Sequence, residues 1–156
     1  MIPKTLPSSA HYSIRAPENY YRDMREDVEV LRDRQRFIAC VLVILSCIDA
    51  LAADSGKATS GKFKAFVKSE FPELCAGLDR VVRGKSGPDV LYDSFRNGFS
   101  HLRGPKANFA IADNTELNGE WAGEVEVDSK GKFVAINVER LIEHFLALTN
   151  RLEATR

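Results

Sequence analysis

The chain has 156 residues, 44% of them hydrophobic and 28% charged, with 22 Lys+Arg against 22 Asp+Glu. That length and balance fit one globular domain with a proper core. A formal net charge of zero excludes an extended basic surface gripping many phosphates, and leaves room for a small local anion site.

Residues 1–17 hold three prolines and no apolar core segment, so they read as a flexible arm without a signal peptide, and residues 18–156 as one domain. Ala16-Pro17-Glu18 marks a helix start. Tyr21, Met24, Val28 and Leu31 then follow at helical spacing, with Arg22, Asp23, Glu26 and Asp27 on a solvated face. No breaker precedes Phe37–Ala53, so one long helix and two abutting helices both remain open. The run Phe37 to Ile48 is apolar nearly all round, but its twelve residues before Asp49 fall short of the ~18 needed to cross a bilayer. It is expected to be buried in protein, with no membrane association, and to pack against a second copy in a homodimer. Cys40, Cys47 and Cys75 show no CxxC or Cys/His metal spacing. They read as buried reduced thiols, which points to the cytoplasm.

Ser55 to Gly61 is a turn. Its GKATSGK is not a phosphate-binding loop, because Phe63 stands where Ser or Thr must follow Lys62 and no strand precedes it. Lys62–Phe71 is expected to be a short amphipathic helix stopped by Pro72, Glu73–Val82 another, and Arg83–Asp89 a loop. Pro88 and Asp89 open the helix that carries Val90 to Arg103, VLYDSFRNGFSHLR, with Val90, Leu91 and Phe95 at core spacing. Gly104 and Pro105 end it. Phe109–Ala112 is a short strand and Asp113–Gly119 a turn. Trp121–Val127 alternates as a half-buried strand, Asp128–Gly131 turns, and Lys132–Ile136 returns, making a β-hairpin. Asn137 caps a final helix whose face is Val138, Leu141, Ile142, Phe145, Leu148 and Leu152. The fold class is mainly α, a helical bundle with a small β-hairpin inserted before the C-terminal helix. His11 and His144 read as surface residues, and Trp121 as packing or a hairpin anchor.

Within the central helix, Arg96, Asn97 and His101 stand close together. Asn97 and His101 are four apart and share a face. Arg96 lies about 140° round from His101 on an ideal helix, a gap its long side chain partly closes. A permanent cation, an amide and an imidazole titrating near neutrality suit metal-free cleavage of an RNA phosphodiester. His101 would take the proton of a ribose 2′-OH or protonate the leaving 5′-oxygen. Arg96 would hold the phosphate, and Asn97 would bond the phosphate or fix the imidazole tautomer. No cofactor or metal is called for. Asp49 interrupts an apolar helix. It either pairs with Arg96 or His101 as a supporting carboxylate, or reaches water or a cap at the helix end. The plainer account of Arg96 is a surface ion pair with Asp93 or Asp89, and of His101 a favourable place at a helix C-terminus. Arg103 and Lys106 would assist RNA binding or serve as solvated loop charges.

The run FRNGFSH resembles the R-x4–6-H motif of the HEPN superfamily, in which a polar residue, often Asn, follows the arginine. The preceding apolar helix ending IDALAAD and the middle segment KFKAFVKSEFPEL fit the same order, so the resemblance covers roughly Tyr20 to Arg103. It implies a HEPN-like helical bundle, usually dimeric, with the two motifs in a shared cleft. It also implies a metal-independent endoribonuclease using Arg96 and His101, of the kind found in toxin–antitoxin and defence systems. An antitoxin or other protein partner would follow from that. The alternative within the resemblance is a non-catalytic module that binds RNA, a nucleotide or a protein.

Overall fold

The computed structural model describes residues 17–54, 56–102, 106 and 108–155, with side chains at 20–54, 56–99, 106 and 108–155. The arm, His11 and Arg103 therefore lie outside the described residues.

Two helices, not one, open the described chain: α1 (Pro17–Asp33) and α2 (Phe37–Ala53). The break falls at Gln35, whose φ of 55° ends α1 in left-handed backbone. The Arg36 amide closes that end by donating to the Leu31 carbonyl at 2.8 Å. No propensity in LRDRQRF demands this stop. Burial does, since Met24, Val28 and Cys40, Val41, Ile44 and Ile48 reach one core only if the chain folds back. Thr59 caps α3 (Ser60–Glu70) by accepting from the Lys62 amide at 3.2 Å, which starts that helix two residues before the expected Lys62. Pro72 ends it and opens α4 (Pro72–Val81) as a first-turn residue.

The next helical stretch runs from Gly87 to Leu102 in three parts, α5 (Gly87–Val90), a π-helical turn (Leu91–Arg96) and α6 (Asn97–Leu102). Its buried residues repeat every fourth position, as Val90, Ser94, Gly98 and as Leu91, Phe95, Phe99. An α-helix advances ~3.6 residues per turn, so two such stripes would drift round it by about 40° a turn. A wider i→i+5 turn in the middle offsets the drift and keeps both stripes against the core.

After the helix, β1 (Phe109–Ala112), β2 (Ala122–Val127) and β3 (Gly131–Asn137) form a three-stranded sheet in the order β1-β3-β2. The β2/β3 pair is the antiparallel hairpin expected, with Val127 opposite Gly131. The first strand extends it into a mixed sheet, because β1 runs parallel to β3, Phe109 opposite Val134. The sheet packs on α4 and on α7 (Val138–Ala154). Asn137 ends β3 and caps α7, accepting from the Arg140 amide while its own amide donates to Asn114 and to the Glu120 carbonyl.

The core gathers α1, α2, α3, α4, the π turn and α7, with Phe63, Phe71, Phe95 and Phe145 wholly buried. His144 is not a surface residue. It is half-buried between Phe71 and Trp121, ring centroids 4.7 and 5.5 Å away, and donates to the Glu70 carbonyl. Trp121 anchors the sheet to α4 through its indole N–H, which donates to Glu73 at 2.8 Å. No helix among the described residues is long and apolar enough to cross a membrane.

Candidate functional site

Local sequence sets where Arg96 emerges. Ser86 caps α5 by accepting from the Asp89 amide, and its hydroxyl donates to the Asp89 carboxylate at 2.9 Å. Gly87 lies directly on the backbone of Cys75, where a Cβ would fall 2.2 Å from the carbonyl oxygen. These contacts fix the start of the helix against α4. The π turn then carries the chain past α2, and the Asn97 amide closes it by donating to the Tyr92 carbonyl.

At the end of that turn Arg96 meets Asp49, which is 16% exposed at the side chain against 23% for the arginine. The guanidinium Nε donates to Asp49 Oδ2 at 2.7 Å, and Nη1 donates to Asn97 Oδ1 at 2.9 Å. The guanidinium carbon also lies 5.2 Å from the Tyr92 ring centroid. Three neighbours thus hold one arginine, while among the described residues Nη2 has no hydrogen-bond partner. An arginine so fixed presents its remaining donors in one direction, the property that oxyanion or phosphate binding needs.

Of the readings open for Asp49, the structure has the pair with Arg96. Of those open for Arg96, it does not have the ion pair to Asp93 or Asp89. Those carboxylates go instead to Lys85, at 2.9 Å, and Lys64, at 2.8 Å. The reason is reach: Asp89 and Asp93 project with the α3 and loop side of the helix, and Arg96 leaves the π turn toward α2. The Asp89 hydrogen bond holds the Lys64 ammonium above its ordinary range. In return the Lys64 and Ser86 hydrogen bonds hold the Asp89 carboxyl below its own. Asn97 sits beside Arg96 and accepts from it, so its carbonyl oxygen is committed there. His101 stands in the backbone of α6, but its side chain lies outside the described residues. Lys106 is exposed, and its amide donates to the Ser94 carbonyl at 2.9 Å, which returns the chain to the flank of the π turn.

Two residues of this neighbourhood went unread in the sequence. Tyr92 lies four before Arg96, the spacing at which an aromatic and a cation meet on a helix, and that signal was available. Lys64 is brought in from α3, its ammonium 5.4 Å from the centroid of the same ring. Nothing local announces it. The largest cleft, about 540 Å³, does not contain Arg96. It lies alongside, between α3, α4 and α5, with Lys64 on its rim.

The thiols do not contribute. Cys40, Cys47 and Cys75 are free, and burial pushes Cys47 up to about 12 and Cys75 up to about 11, so both stay protonated near neutrality. No group of three or more His, Cys, Asp or Glu stands ready to hold a metal among the described residues. Comparison with protein-family models, with curated proteins and with solved structures found no match.

Proposed function

We propose that this chain is a HEPN-type, metal-independent endoribonuclease that works as a homodimer. The observation that carries the reading is the Arg96 guanidinium, fixed by Asp49, Asn97 and Tyr92 five residues before His101 in one helix. In the reaction, His101 removes the proton from a ribose 2′-OH. The 2′-oxygen attacks the adjacent phosphorus, and the P–O5′ bond breaks as an imidazolium protonates the departing oxygen. A 2′,3′-cyclic phosphate and a 5′-hydroxyl result. Arg96 binds the phosphate and offsets the charge that gathers on its oxygens. Asp49 acts through Arg96 as a positioning residue. An antitoxin or other protein partner is part of the proposal only as far as the resemblance carries it.

A second copy has a place to dock. Ile38 and Leu42 lie on one face of α2 and are 55% and 38% exposed. Asp49 follows Leu42 by seven residues, about 20° from the same line on the helix. An apolar stripe therefore leads to the Asp49–Arg96 pair, and a twin packed on it would bring the two motifs toward one cleft. The pairing of Arg96, Lys64 and Lys85 with carboxylates favours a second reading, a non-catalytic module that binds RNA, a nucleotide or a protein.

The test is incubation of the purified protein with mixed RNA in EDTA beside Arg96→Ala and His101→Ala. Cleavage by the parent that both substitutions abolish, leaving cyclic phosphate ends, is the expected result. Intact RNA throughout, or equal cutting by the variants, removes the nuclease reading.

A further inference from the structure

We infer that the cleft between α3, α4 and α5 is a nucleotide subsite beside Arg96, entered across Tyr92 and secured by Lys64 and Lys68. The inference rests on the RNA-directed reading above and extends it to where the strand runs.

The Tyr92 ring carries two cations, Lys64 at 5.4 Å and Arg96 at 5.2 Å from one centroid. Both distances end at the same point, so the two charges are no farther apart than their sum, about 10.6 Å. Cations interleaved with an aromatic face at such a spacing form the usual platform for a single strand, the base stacking while neighbouring phosphates meet the charges. Tyr92 is itself braced, its ring edge-on to the buried Phe63 at 5.3 Å, so it is a fixed surface.

Beyond Lys64 the surface falls into the cleft of about 540 Å³, within the ~300–1,000 Å³ of pockets that take small molecules. Its walls include Ala65, Pro72, Ala76 and Pro88, a floor suited to a base or sugar. Lys64 and Lys68, four apart on one face of α3, stand over it. Asp89 does not cancel Lys64. It accepts one of three ammonium protons and is itself held by Ser86, so Lys64 is set on the rim with two donors to spare. Lys68 has no ion pair among the described residues. A nucleotide seated here must be unpaired, which directs the site to single strands and loops and away from duplex.

The experiment measures binding of a fluorescein-labelled single-stranded oligoribonucleotide by anisotropy over a salt series, with His101→Ala throughout so that the strand stays whole. Tyr92→Leu should weaken binding roughly tenfold, as loss of one stacked base does, and Tyr92→Phe should recover most of it. Lys64→Gln should lower the slope of log affinity against log salt by about 0.7, one single-strand phosphate contact. Lys130→Gln, on the far hairpin turn, should leave the slope alone. If protein that cuts RNA binds equally well with Tyr92→Leu and Lys64→Gln, the subsite is wrong and the nuclease reading stands. If these variants lose affinity but the parent never cuts, the subsite stands and the nuclease reading falls. If no RNA binds, both fall together.

Discussion

Replacing Asp49 asks whether Arg96 is held in place or merely near a carboxylate. Two unit charges about 4 Å apart attract by roughly 4 kcal/mol at the effective dielectric of a protein surface. Desolvation and side-chain ordering subtract from this. With the two side chains 16% and 23% exposed, the pair lies between an exposed bridge worth about 0–1 kcal/mol and a buried one whose breakage costs about 3–5. Asp49→Ala is therefore expected to cost about 2 kcal/mol, and Arg96→Ala about as much, since each strands its partner. The double variant should cost about 1–3 kcal/mol less than the sum. Urea melts give these values, followed both by circular dichroism and by the fluorescence of Trp121, the single tryptophan, whose agreement tests two-state behaviour. RNA cleavage supplies a second readout. Asp49→Ala should lower turnover in the parent and change nothing in an Arg96→Ala background. Additivity within about 0.5 kcal/mol would refute the coupling and, with it, the account of Asp49 as the residue that aims Arg96.

Gly87→Ala should destabilise by about 1–3 kcal/mol, read as a lower Tm. The cause is steric, because the new Cβ would fall 2.2 Å from the Cys75 carbonyl oxygen, backbone that cannot swing aside. Alkaline pH should destabilise through Cys47. Below pH 9 the thiol is protonated in both states. As pH rises toward about 12 the unfolded chain gives up its proton and the folded one keeps it, so stability falls across that window. Cys47→Ala should fall less steeply over the same range, and equal slopes in urea melts at pH 8 and 10 would contradict the assignment.

The helices were legible because their apolar positions recur at helical spacing and their ends carry chemical signals: Pro72 at a first turn, Asn137 as a cap. The β2/β3 hairpin was legible from alternation around Gly131. The partnership of β1 with β3 was not. Four residues carry too little pattern, and a parallel pairing skips over the intervening strand, so no local signal encodes it. His144 was misread although the pattern held the correction, since it lies three after Leu141 and four before Leu148, at the edge of the buried face. Asp49 and Arg96 could each be singled out by type and context, but 47 residues separate them, and only the crossing of α2 with the π turn chose this pairing among those open. Lys64 belongs to the same class of contact.

The π turn makes the length of one helix part of the site. Removing any one residue between Leu91 and Phe95 would let the stretch relax to ordinary α geometry, and everything beyond would rotate by about 100° relative to what precedes it. Arg96 would then swing off Asp49 and Phe99 out of the core, though every surviving side chain kept its identity. A scan by substitution never visits that change. The site is tuned here by a count of residues, and a chain one residue shorter would carry the same FRNGFSH run pointed elsewhere.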